Sequence, residues 1–155
     1  MSNRYSRGFT LLEILLVVAA IAILAGIVIV AINPARQLGE TRNAQRKVDI
    51  RTILSAVQQY QLKYGRLPIG ITDDADCGQL ESQEICATGE PDCSQLTDLS
   101  ELTVNGAFLT SLPTDPSGSV APYGGTGYMI TRNQNGRVTV CAFNAELDEA
   151  ITITQ

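Results

Sequence analysis

Residues Ser6 to Ile32 read SRGFTLLEILLVVAAIAILAGIVIVAI. From Ile14 to Ile32, nineteen residues pass without one polar side chain. As a helix this run would be about 28 Å long, close to the hydrocarbon thickness of a bilayer. A secretory signal peptide has a shorter apolar core followed by small residues at a cleavage site. Ala-X-Ala-like sites can be drawn near Ala20 or Ala25, but apolar residues continue well past both. The run therefore reads as a retained span. It ends at Asn33-Pro34, where Pro34 lacks a backbone donor and can bend the helix.

Two features do not belong to an ordinary anchor. Glu13 stands at the start of the span, and Arg-Gly-Phe-Thr precedes it. A carboxylate beside a bilayer span is costly and often functional. The plain account places Glu13 in the headgroup region, favoured by the helix N-terminus. The functional account needs a partner cation. No basic residue lies between Gly8 and Arg36. The one cation that can be made nearby is a new α-amino group, if the chain is cut just before Phe9.

The rest of the 155-residue chain leaves roughly 120 residues for one small domain. A core of that size gains from covalent staples. The formal net charge of −5 argues against a nucleic-acid protein. The four cysteines are Cys77, Cys86, Cys93 and Cys141, with no CxxC pair and no histidine in the chain. Zinc sites want Cys and His at tight spacing, so two disulfides in an oxidising compartment are the expectation. The positive-inside rule points the other way: Arg36, Arg42, Arg46, Lys47 and Arg51 follow the span, against Arg4 and Arg7 before it. Charge alone places the domain inside, and the cysteines place it outside.

RGFTLLEILLVVAAIAILAGI resembles the N-terminus of type IV pilins and of the pseudopilins of type II secretion. The shared elements are a short basic leader, a glycine, a phenylalanine, and a glutamate four residues after the phenylalanine, followed by a long apolar helix. The resemblance implies that a prepilin peptidase cuts between Gly8 and Phe9 and N-methylates Phe9. It also implies that Glu13 pairs with the Phe9 amine of a neighbouring subunit during assembly. A buried carboxylate is tolerable when paired, and a methylated amine keeps its charge. Cleavage would remove Arg4 and Arg7, subtracting two positive charges from −5 to leave −7. The resemblance also sets the topology, N-terminus inside and domain outside, against the basic cluster.

Residues 38–64 read as a continuing amphipathic helix, with a stripe at Ile50, Ile53, Leu54, Val57, Tyr60, Gln61 and Tyr64, extended by Ala44 and Val48. Gly65 is the expected C-cap, and Pro68 prevents continuation. DIRTILSAVQQYQLKYGRLP again resembles the pilin family. Residues 32–66 hold seven basic and two acidic side chains; residues 73–101 hold nine acidic and no basic ones. Each run reads simply as a solvated surface. The sharper reading sets them against one another between subunits.

The acidic segment holds three of the cysteines. A Cys77–Cys86 ring with Cys93 tied to Cys141 is one connectivity, and the other two stay open. Asp73, Asp74 and Asp76 lack the EF-hand pattern. GYMITRN, RVTVCAFN and EAITITQ read as three short strands, with Asn133 to Gly136 as a hairpin turn. Three such strands need the amphipathic helix as cover. The preceding LPTDPSGSVAPYGGTGY resembles the Leu-Pro-x-Asp-Pro segment common before the sheet in major pseudopilins and some pilins. By that resemblance Asp115 and Asp148 are weak calcium candidates. Phosphate-loop and nucleophile-elbow motifs are absent, so neither an enzyme nor a cofactor is expected.

The resulting expectation is an α+β, pilin-like chain. Residues 1–8 are a leader, 9–33 a transmembrane and assembly helix, 34–65 an amphipathic helix, 66–125 a loop-rich cysteine region, and 126–155 an antiparallel sheet. The expected role is a type IV pilus subunit. Its expected partners are further copies in a homopolymer, a prepilin peptidase, assembly machinery, and membrane lipid before assembly, with no nucleic acid. The alternatives are a type II secretion pseudopilin and a signal-anchored domain that does not polymerise.

Overall fold

The computed structural model describes residues 8–74, 76–78, 83–118 and 124–155. The chain divides into two units, residues 1–38 and 39–155.

In the first unit, helix α1 runs Leu11–Ala31. Thr10 is its N-cap, in extended conformation, and the Thr10 Oγ1 accepts from the Glu13 N–H at 3.1 Å. This satisfies one of the orphan donors of the first turn. Leu11–Ile29 is long and apolar enough to cross a membrane, and none of it is buried within the chain. Its Leu, Ile and Val side chains are exposed, an apolar surface suited to lipid or to other chains. The Ile32 N–H closes on the Val28 carbonyl at 3.1 Å. Asn33 then caps helix α2, Pro34–Tyr64, accepting from the Arg36 N–H at 3.3 Å. Pro34 sits at the first helical position, where a missing N–H costs nothing. The proline thus restarts a helix rather than kinking one.

Helix α2 ends as its sequence dictates. Gly65 takes φ +70, and its N–H reaches the Gln61 carbonyl at 2.8 Å. In the second unit Ile50, Ile53, Leu54, Ala56, Val57 and Tyr60 are buried. They pack with Tyr128, Ile130, Val138, Val140, Ala142 and Ile151 of the sheet, and with Ile71, Ile85, Leu99, Leu102 and Leu112. The expected stripe is corrected at its ends. Ala44, Val48, Gln61 and Tyr64 are exposed. The 3.6-residue repeat carries the buried face back from Ile50 and Ile53 to Arg46, Asp49 and Asn43, which are polar but buried.

The sheet has five strands. β1 is Thr72–Asp73, β2 Glu84–Cys86, β3 Gly125–Arg132, β4 Val138–Ala142 and β5 Ile151–Thr154. β3, β4 and β5 pair antiparallel in sequence order. The β3–β4 turn is closed by Asn133, whose Oδ1 accepts from the Asn135 and Arg137 N–H groups. β1 and β2 both join β3. β1 pairs parallel at Thr72 with Thr131, and β2 antiparallel at Glu84 with Met129. The sheet is therefore mixed and reaches into the stretch read as loop. Strands of two and three residues carry no alternation to reveal them.

The disulfides are Cys77–Cys141 and Cys86–Cys93, with Cα atoms 6.2 and 5.7 Å apart. This is one of the two connectivities left open, not the Cys77–Cys86 ring with Cys93–Cys141. Cys141 stands opposite Met129 in the β3–β4 ladder, and Gly78, next to Cys77, lies against both of their sulfurs. The Cys77 segment thus covers the sheet near Met129 and Cys141, neither of which belongs to the main core cluster. Cys86 is the last residue of β2, and the chain turns through Thr88 and Gly89 to return Cys93 to it.

Candidate functional site

Gly8, Phe9, Thr10 and Glu13 lie together at the start of α1. Phe9 is 79% exposed, and Glu13 is exposed in the first turn. Nothing in the fold asks for glycine at position 8: a Cβ there would meet no atom within 4 Å. Gly26 is similar. It sits in the middle of α1, and a Cβ there would also meet nothing. An exposed glycine inside a helix costs about 1 kcal/mol relative to alanine. In return it lets another helix backbone approach closely. Thr10-Leu11-Leu12-Glu13 also fits the S/T-x-x-E capping pattern, a local signal that the sequence reading passed over.

A prokaryotic N-terminal methylation motif matches residues 3–29. The chain carries a type IV pilin-like prepilin signal. The match joins the basic leader, Gly8, Phe9, Glu13 and nearly all of α1 in one recognised unit. No curated protein and no solved structure matches the chain. Helix α1 fits a single-pass membrane anchor, as in prepilins.

A second constellation lies inside the domain, on the polar extension of the buried α2 face. The Arg46 guanidinium is fully buried and grips Asp115 with two parallel bonds, Nε to Oδ2 at 2.7 Å and Nη2 to Oδ1 at 2.9 Å. Its Nη1 reaches Asn43 Oδ1 at 2.8 Å and Glu146 Oε2 at 2.9 Å. Arg42 adds a second fork onto Glu146, at 2.7 and 2.5 Å. Asn43 holds the backbone of Glu146 from both sides, donating to its carbonyl at 2.7 Å and accepting from its N–H at 3.0 Å. Lys47 pairs with Glu149. One turn along, Tyr128 donates to Asp49 Oδ2 at 2.6 Å. Four residues of α2 thereby clasp the loops before β3 and β5. The second of these loops passes through two left-handed residues, Leu147 and Asp148. Such backbone persists where its surroundings fix it.

Burial pushes Asp115 up, but bonds from Arg46 and Ser117 outweigh it and hold the carboxyl below its usual range. Asp115 is thus an anion already matched by an arginine, with Ser117 donating from both its N–H and its Oγ to the same carboxylate. Asp148 stands exposed on the loop. Among the described residues no group of three metal-ligating side chains comes together. The sequence reading missed Asn43, Arg46 and Glu146. The signal was present: Asn43, Arg46 and Asp49 fall in helical register with Ile50 and Ile53.

This clasp predicts acid sensitivity. Hydrogen bonds from Arg42 and Arg46 lower Glu146 from 4.5 to about 2. A carboxyl whose folded pKa is depressed adds stability above its unfolded value and loses it as pH falls through the folded one. The melting temperature is expected to fall between pH 4.5 and about 2. Glu146→Gln should start lower at neutral pH and show a shallower slope in that window. An unchanged slope in thermal melts would remove Glu146 from the acid response.

Proposed function

We propose that this chain is the structural subunit of a type IV pilus filament. A prepilin peptidase cuts between Gly8 and Phe9 on the cytoplasmic face and N-methylates Phe9. The mature subunit waits in the membrane, with α1 in lipid and the disulfide-bonded domain outside. It then leaves the bilayer, and α1 joins a bundle of identical helices. Burial of apolar area on α1 drives polymerisation. Glu13 pairs with the Phe9 amine of the next subunit and fixes the stagger. A repeated head-to-tail contact produces an open filament.

The observation that carries this reading is the methylation motif running into a long helix whose described apolar side chains are exposed. The paired cysteines support an outside location. A second reading, a periplasmic pseudopilin of type II secretion, draws on the Leu112-Pro113-Thr114-Asp115-Pro116 segment. Microscopy separates the two: long surface fibres favour the pilus, and blocked enzyme secretion without fibres favours the pseudopilin.

The first test is intact mass from the native cells, with and without reductant. The expected product starts at Phe9, is heavier by one methyl, and gains four hydrogens on reduction of the two disulfides. A chain still starting at Met1 with free thiols would overturn the proposal.

A further inference from the structure

An open groove of about 390 Å³ runs along the outward side of α2 and is closed by Phe108 and Leu109. Val48 and Leu109 supply apolar wall, Thr52 and Gln59 polar wall, and Arg51 the charge. Arg51 is exposed and has no ion pair among the described residues, unlike Arg42, Arg46, Lys47, Arg66 and Arg132. Val48 is 52% exposed beside it.

Elsewhere on the same domain stands a feature of opposite character. Residues 88–92, Thr-Gly-Glu-Pro-Asp, are exposed in succession, and the Cys86–Cys93 disulfide closes them into a short ring. The Asp92 carboxylate is aimed by the Ser94 N–H at 2.9 Å. Neither Glu90 nor Asp92 has a cationic partner among the described residues. Much of the positive charge of α2 is consumed within the chain, on Asp115, Glu146 and Glu149. Charge matching between whole segments is therefore reduced to a few residues, with Arg51 on one side and the ring on the other.

We propose that the Glu90–Pro91–Asp92 tip of one copy seats in the Arg51 groove of the next. This rests on the polymer reading above and names a lateral contact between its domains. Pro91 supplies an apolar ring for the Val48 and Leu109 wall, and Asp92 supplies the counter-charge for Arg51. The disulfide pre-orders the tip, so little conformational freedom is lost on docking. The charge pair contributes register and partner choice more than bulk affinity. Groove and tip share no residue, so the contact joins unlike patches and can repeat from copy to copy.

The test is a charge exchange in the full chain, expressed in its native cells. Sheared polymer is weighed for wild type, Arg51→Glu, Asp92→Arg, and the double exchange. Mass at Phe9 and the melting temperature of detergent-extracted subunit serve as controls. Each single change sets like charges together, and polymer yield is expected to fall about tenfold or more. The double exchange should recover most of the wild-type yield, because the pair is restored with its sign reversed. Undiminished polymer from both single variants overturns this contact and leaves the filament reading intact. Loss in both singles without recovery in the double assigns the charges to different contacts and also overturns it. Wild type that is processed but never polymerises overturns the filament reading, and this inference with it.

Discussion

Glu13→Ala is expected to insert into the membrane and to be cleaved at Gly8 normally, yet to yield no filament. The fold of the subunit gives little reason for damage. Glu13 is exposed, and its link to the Thr10 cap is made by its backbone N–H, which alanine retains. What alanine removes locally is a favourable charge at a helix N-terminus, about 0.3–1 kcal/mol. Within a bundle of α1 helices the balance changes. The Phe9 amine of a neighbour would be left buried without its counter-ion, at a cost on the order of 3–5 kcal/mol per contact. A polymer repeats that cost at every subunit. Glu13→Gln sharpens the experiment, because it keeps the capping pattern and removes only the charge. Both variants should remain in the membrane fraction and be absent from sheared, pelleted material. A normal pellet from either would exclude the ion pair as the determinant of stagger.

Asp115→Ala should be the most damaging single change inside the domain. It would strand the fully buried Arg46 guanidinium, whose remaining acidic partner, Glu146, is part-exposed and shared with Arg42. Removing one member of a buried ion pair costs about 3–5 kcal/mol. For a domain of this size that corresponds to a fall in melting temperature on the order of 10 °C. Replacing both members, Arg46→Met with Asp115→Leu, should cost much less than Asp115→Ala, because no uncompensated charge remains. Denaturant titration of the three variants measures this directly. A loss under about 1 kcal/mol for Asp115→Ala would show that water reaches the pair in solution.

The helical part of the fold was legible because its signals are local. The apolar run, Pro34, the stripe from Ile50 to Tyr60 and Gly65 each act within a few residues. The prepilin-like signal was legible for the same reason, as one continuous motif over residues 3–29. The errors came where distant residues meet. Cysteine spacing left the pairing open, while the sheet brought Cys77 to a residue 64 positions away. The stripe went astray at Ala44 and Val48 because apolar character was allowed to outrank helical phase. Phase leads to Asn43 and Arg46, and a buried arginine is recognisable only once Asp115 and Glu146 are known to face it.

The Cys77–Cys141 bond has a further consequence for cleavage of the backbone. It encloses the segment between β1 and β4, and the Cys86–Cys93 ring lies wholly inside that enclosure. A single cut anywhere between Cys77 and Cys141 therefore leaves two fragments that are still one covalent molecule. The piece bearing β5 stays tied to the piece bearing α1, and a nicked subunit cannot shed its C-terminal strands unless the bond is also reduced.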